Sequence, residues 1–297
     1  MNDPDSARFG GQSMTGVLRR VMICAPATAG WGDAAREVVA PALGYPAAPS
    51  AVDAAAEHAA LRRALADAGA EVIELDAAAD HSLDAVYTHD ASFMTDLGAV
   101  VLRMGKPTRG PEPSRHAAFY RAAGIPILGA IDEPGTIEGG DLVWLDAVTV
   151  LVGRGYRTNA SGIDQLRMIL APTGVEVLVA PLPHFFGPES CLHLMSLLSM
   201  VDTAVALVDV AWLAVPTLEL LQERGIGLVE IDTTERDALA CNVLSLGERR
   251  LLAMEGSPAT RTRLRSAGFD VRTFPGRELG RNGGGGPTCL TRPILRA

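Results

Sequence analysis

A cysteine stands three positions after a run of four glycines near the C-terminus, in Gly283-Gly284-Gly285-Gly286-Pro287-Thr288-Cys289. Glycines let backbone approach a ligand closely and adopt dihedrals closed to other residues. A cysteine so placed is positioned for nucleophilic attack rather than for packing. Three polar clusters bounded by apolar stretches could serve it. Gly135-Thr136-Ile137-Glu138-Gly139-Gly140-Asp141 sets two carboxylates around a glycine pair, just before a hydrophobic strand. Ser190-Cys191-Leu192-His193-Leu194-Met195 alternates as a strand does, which puts His193 on one face with Cys191 and Met195. Asp84 to Phe93 reads as a strand entering a polar bend and carries Asp84, His89 and Asp90. Each cluster also has a plain structural reading: a turn, a satisfied core histidine, a capping carboxylate.

Taken together, Cys, His, Glu and Asp suit attack on a guanidinium carbon. A free thiol ionises only near about 8.5 and needs a cation beside it. A guanidinium substrate supplies that cation itself, and paired carboxylates match its N–H groups in geometry and charge. A histidine can protonate the departing amine and then activate water.

These residues must be held by regular elements, and the elements alternate. Strands are expected at 21–23, 71–75, 99–102, 125–128, 148–152, 175–179, 204–208, 228–231, 251–254 and 271–274. Helices are expected at 54–68, 114–123, 161–170, 218–223 and 259–266. Strand–helix–strand thus recurs about five times at intervals of roughly 50 to 60 residues, which suggests one α/β domain of similar units, with a doubly wound sheet as the competitor. Residues 1–15 are expected to form a flexible N-terminal arm and residues 16–297 a single catalytic domain.

Composition narrows the function classes. Of 297 residues, 48% are hydrophobic and 21% charged, enough apolar content for a full core. A net charge of −9 argues against nucleic-acid binding. No apolar run approaches the roughly 18 residues of a membrane span, and Met1-Asn2-Asp3-Pro4-Asp5 is no signal peptide. Cys24, Cys191, Cys241 and Cys289 lie far apart without a Cys-x-x-Cys pair, so reduced thiols in a cytoplasmic protein are expected, without a metal. Cys24 and Cys241 read as packing residues. No Gly-x-Gly-x-x-Gly or Gly-Lys-Ser/Thr loop points to a nucleotide.

From Arg20 to Arg292 the chain resembles the guanidino-group modifying superfamily: arginine deiminases, amidinotransferases and dimethylarginine dimethylaminohydrolases. The Asp segment, Glu-Gly-Gly-Asp, Leu-His-Leu and the glycine-rich segment ending in Cys occur in the family's order. The resemblance implies an α/β fold, a fivefold pseudosymmetric propeller of ββαβ units, and no cofactor. It implies Cys289 as nucleophile, His193 as general acid/base, and Glu138 and Asp90 as guanidine-holding carboxylates. Arg157 and Arg109 match arginines that bind a substrate carboxylate, and Asp84 falls near where the substrate amine is held. Two positions depart from the pattern. Met195 stands where many members carry Asp, as if one side of the pocket were apolar and suited to an N-alkylated guanidine. His89 stands before Asp90 where dimethylarginine hydrolases have Glu.

The leading expectation is hydrolysis of a dimethylarginine-type guanidine to citrulline and an amine. An amidinotransferase is the first alternative within the chemistry, deimination of unsubstituted arginine, disfavoured by Met195, the next, and a non-catalytic guanidine-binding protein the alternative outside it. The partner is a small guanidino compound, and a homodimer is the assembly to be considered.

Overall fold

The computed structural model describes residues 8–76 and 82–297. Its strands form five three-stranded sheets. In chain order, β1 (Leu18–Ile23) and β2 (Glu71–Glu74) are followed by β3 (Ser92–Thr95), β4 (Gly98–Val101) and β5 (Ile127–Ala130). Next come β6 (Leu142–Asp146), β7 (Thr149–Arg154), β8 (Glu176–Pro181), β9 (Leu198–Asp202), β10 (Val205–Val208) and β11 (Gly227–Glu230). The last are β12 (Leu244–Gly247), β13 (Arg250–Met254), β14 (Asp270–Phe274) and β15 (Arg292–Arg296). Four sheets take three consecutive strands each, and the fifth joins β15 to β1 and β2.

One pattern repeats. The first strand pairs antiparallel with the second, as Phe93 opposite Val100, and the second pairs parallel with the third, as Val150 opposite Val177. A parallel neighbour requires a crossover. The helices Ala51–Asp67, Glu112–Ala122, Ala160–Leu170, Val215–Glu223 and Pro258–Ser266 supply it, one per sheet. This is the fivefold pseudosymmetric α/β propeller. Residues of β3, β6, β9, β12 and β15 line one central cavity, so these five strands form the inner ring.

The expected helices and the middle and outer strands all appear. The inner ring is the part the apolar pattern does not mark as a set, because its strands carry polar residues such as Ser92, Thr95, Ser199, Ser245 and Arg292. Two segments differ from expectation. Residues 190–193 are not a strand: Leu194–Ser196 is a 3₁₀ turn capped by His193. Asp141 Oδ1 accepts the Leu194 N–H and Ser196 Oγ accepts the His193 N–H, which takes these donors out of any ladder. Likewise Leu83–Val86 is a 3₁₀ turn, and the strand begins only at Ser92.

Of the arm expected over 1–15, residues 1–7 lie outside the described residues. The remainder is tied down. The Gly10 N–H donates to the Ile294 carbonyl and the Gly10 carbonyl accepts from Arg296 N, while the Gly11 and Gln12 N–H groups donate to Asp96 Oδ1. Among the described residues no helix is long and apolar enough to cross a membrane.

Candidate active site

Glu138 ends an extended stretch and leads into the 3₁₀ turn Gly139–Asp141. Its carboxylate is fully buried. Oε2 lies 2.8 Å from His193 Nε2, and Oε1 accepts the Lys106 N–H at 2.9 Å. Arg157 Nη1 donates to both oxygens at 3.2 Å. Asp90 stands beside this pair: Oδ1 accepts the Gly140 N–H at 3.0 Å and lies 3.9 Å from His193 Nδ1. Its Oδ2 accepts from Arg109 Nη1 at 2.6 Å.

The glycine pair makes this convergence possible. A Cβ on Gly140 would overlap the His193 ring, and one on Gly139 would overlap the His89 carbonyl. Asp141 completes the segment from below. Its Oδ1 accepts the Leu194 N–H at 2.8 Å and its Oδ2 the Thr158 hydroxyl at 2.6 Å, fixing the turn that carries His193. Burial pushes the Asp141 carboxyl up to about 6.

Cys289 is set by a different blade. Asn242, just before β12, accepts the Thr288 N–H on Oδ1 at 3.0 Å, and its Nδ2 donates to Cys289 Sγ at 3.0 Å. The His89 N–H donates to the Cys289 carbonyl at 3.1 Å, which ties the nucleophile segment to the Asp90 segment. The glycine run packs against these supports: a Cβ on Gly286 would run into the Asn242 side chain, and one on Gly285 into the Tyr87 ring.

Cys289, His193, Asn242, Cys191 and Gly284 line one cavity of about 400 Å³. Phe185, Phe186, Leu197 and Trp212 give it apolar walls, and Arg236 and Asp237 add opposite charges. Arg236 is held fork to fork by the buried Asp209 and stacks on Trp212 at 5.5 Å. This leaves N–H donors on its guanidinium unspent.

The electrostatics separate the roles. Burial, then the Asp90 carboxylate, push the Cys289 thiol up to about 11 against the opposing pull of His193 and Asn242. Burial works against a charge on His193, yet the Cys191 sulfur and the carboxylates of Asp90 and Asp141 hold its proton well above the ordinary histidine range. Burial also disfavours the Glu138 carboxylate, but the His193 hydrogen bond and the charges of His193, Arg157 and Arg109 keep it ionised well below the usual range. The resting arrangement is a neutral thiol facing an imidazolium that stands on two carboxylates. Asp90, Glu138 and His193 offer ligand atoms within 4.8 Å of one another, a set able to hold a cation. The retained imidazolium proton competes with a metal ion there, whereas a guanidinium needs only acceptors.

The sequence profile of the arginine deiminase family matches residues 82–214 and 211–296. The chain belongs to the arginine deiminase family. It thereby falls within the guanidino-group modifying superfamily. An N(G),N(G)-dimethylarginine dimethylaminohydrolase of Streptomyces coelicolor is 30% identical over 212 residues, covering 70% of this chain and 73% of that protein. The fold is shared with the citrulline complex of the dimethylarginine dimethylaminohydrolase from Pseudomonas aeruginosa (TM-score 0.74, 22% identity, 95% of this chain and 100% of that one). It is shared too with an amidinotransferase of the saxitoxin pathway from Microseira wollei (TM-score 0.78, 15% identity, 98% of each chain).

In this family member Glu138 and Asp90 meet His193, and His193 shares a cavity with Cys289. The other expected substrate contacts lie elsewhere. Arg109 is buried and engages Asp90, Glu112 and the Tyr87 carbonyl. Arg157 is engaged by Glu138, and neither arginine lines the cavity that holds Cys289. Asp84 accepts an ion pair from Lys106. The His89 ring reaches the Thr291 carbonyl at 2.8 Å; burial, then the Arg292 charge, push it well below the ordinary range, so it is neutral and faces the central cavity. Met195 packs in the core with Val143, Leu151 and Leu198 rather than against Cys289. Cys24 and Cys241 are buried packing thiols. Sequence reading missed Asn242, Trp212 and Arg236, none of which stands in a motif; the one local signal is a polar Asn at the edge of an apolar strand.

Proposed function

We propose that this family member hydrolyses an arginine-like guanidine carrying an N-substituent, of dimethylarginine type, to citrulline and an amine, with Cys289 as nucleophile. The observation that carries the reading is the shared cavity: a thiol and an imidazolium face one space, and the imidazolium rests on Glu138 and Asp90. The name of the Streptomyces coelicolor relative supports the substrate class. The apolar walls, rather than Met195, favour an N-alkyl group.

The guanidinium enters as the cation that Cys289 lacks. Its positive charge draws the thiol toward thiolate, the S–H proton passes to solvent because His193 is already protonated, and the sulfur attacks the central carbon. The C–N bond to the substituted nitrogen breaks, and His193 gives its proton to the departing amine. Water then attacks the thiouronium carbon while His193 takes a proton back. The C–S bond breaks, leaving the ureido group of citrulline and the free thiol. Asp90 receives guanidinium N–H groups on lone pairs left by its present partners, whereas Lys106, Arg157 and His193 already occupy both Glu138 oxygens, so Glu138 acts by holding the His193 imidazolium. Arg236 and Asp237, which line the same cavity, receive the carboxylate and the ammonium of an amino-acid substrate in this reading.

An amidinotransferase is the second reading, favoured by the fold shared with the Microseira wollei enzyme. Mass spectrometry of Cys289 after incubation with a panel of guanidino compounds tests both. The expected result is a Cys289 adduct with dimethylarginine-type compounds that resolves in water to citrulline. An adduct that resolves only onto an added amine selects transfer. A panel that leaves Cys289 unmodified and yields no product overturns both in favour of a binding protein.

A further inference from the structure

The central cavity on the propeller axis is distinct from the one that holds Cys289. Its volume is about 30 Å³, room for about two waters or one monatomic anion. Two arginines of β15 face it, Arg292 and Arg296, only 4% and 5% exposed. Their spacing of four residues on a strand puts them on the same face at two heights of the axis.

Neither guanidinium is satisfied. Arg292 Nη2 donates to the His89 carbonyl and Arg296 Nη1 to the Gly16 carbonyl at 2.7 Å. Arg292 Nε and Arg296 Nη2 are buried without a hydrogen-bond partner. The residues lining this cavity include no carboxylate. His89 is there as a neutral ring, and Ser199, Ser245 and Thr288 contribute only hydroxyls. Asp96, which does not line the cavity, spends Oδ1 on the Gly11 and Gln12 N–H groups. The tied arm from Gly10 to Met14 also lines the cavity.

Two buried cations carry orphan N–H donors in a low-dielectric space, and the acids that act on Arg292, Tyr120 and an Asp90 already paired with Arg109, supply no acceptor to them. Burial pushes Arg292 down to about 10, and burial together with the neighbouring Arg292 charge pushes Arg296 down to about 9. A small anion supplies both the missing charge and the missing acceptors. We propose that the axial cavity is a binding site for a small inorganic anion of the halide class, held by Arg292 and Arg296. The site touches the catalytic layer through the His89 carbonyl, since His89 adjoins Asp90.

The test uses the full chain purified in gluconate, an anion too large for the cavity. Bromide is titrated at constant ionic strength while the unfolding midpoint is followed, and crystals are soaked in bromide for anomalous scattering. The expected result is one anomalous peak within hydrogen-bond reach of Arg292 Nε or Arg296 Nη2, with a saturable rise in Tm. That rise is absent from Arg292→Met and Arg296→Met. Water alone at the site, or a Tm response that both variants retain, overturns the proposal. The wild-type crystal decides the matter if the variants do not fold.

Discussion

Burial and Asp90 hold the Cys289 thiol up, His193 and the Asn242 donor pull it down, and what enters the cavity adds to that balance. With the thiol pushed up to about 11, thiolate is scarce at neutral pH. Alkylation by a neutral reagent should therefore rise with pH toward about 11 in the free protein. A non-reactive guanidinium analogue should move that profile to lower pH, and an unmoved profile would show that the ligand does not activate the thiol. Cys289→Ser should abolish turnover with the unfolding midpoint unchanged; retained activity would remove Cys289 from the chemistry. Asn242→Ala removes the donor to Sγ and leaves the Thr288 N–H without its acceptor. It should push the thiol further up and destabilise the fold by about 1–3 kcal/mol, the usual range for an orphaned buried donor. A denaturant titration together with the alkylation profile checks both effects.

The turns between blades carry the chemistry, and two substitutions probe them. Gly140→Ala puts a methyl into the His193 ring. The ring must move, and a misplacement on the order of 1 Å costs about 100-fold in rate, so kcat should fall by about that factor while the five sheets persist by circular dichroism. Asp141 titrates with the turn it holds. Its carboxyl is raised from 3.8 to about 6, so the folded state binds this proton more tightly than the unfolded chain. That contribution is fully present below 3.8 and is lost as pH rises through about 6. Across that window the wild type should lose roughly 3 kcal/mol of stability relative to Asp141→Asn, which lacks the titrating carboxyl. Equal slopes in both proteins would show that Asp141 is not the titrating group.

The same scale explains what the sequence makes legible. Middle strands such as Val150-Leu151-Val152 are buried on both faces and read as apolar runs. The four segments bearing Cys289, His193, Glu138 and Asp90 stand out because polar clusters interrupt such runs. The turn at His193 is not legible, since its shape depends on Asp141, a residue 52 positions earlier by the numbering (193 − 141). Nor are the engagements of Arg109 and Arg157 with buried carboxylates, because an arginine's partner is fixed by tertiary contact rather than by spacing. Asn242 and Arg236 come from other blades, where no local pattern marks them.

At the scale of the molecule, the ring is closed by β15 pairing antiparallel with β1, as in Leu18 opposite Arg296. The other four blades are each continuous in sequence. The seam has a kinetic corollary. Local blades meet a small loop-closure entropy, whereas the β1–β15 contacts meet the largest in the fold. Seam contacts should therefore be absent from the folding transition state. Ile294 is fully buried in β15, and Ile294→Ala should cost about 2–5 kcal/mol. Nearly all of that loss should appear as faster unfolding, with the refolding rate unchanged. Truncation of Leu151 in the local β6–β7 pair should instead slow refolding. A chevron in which Ile294→Ala slows refolding would place ring closure early, and the barrier to unfolding would then not be the latch that the seam provides.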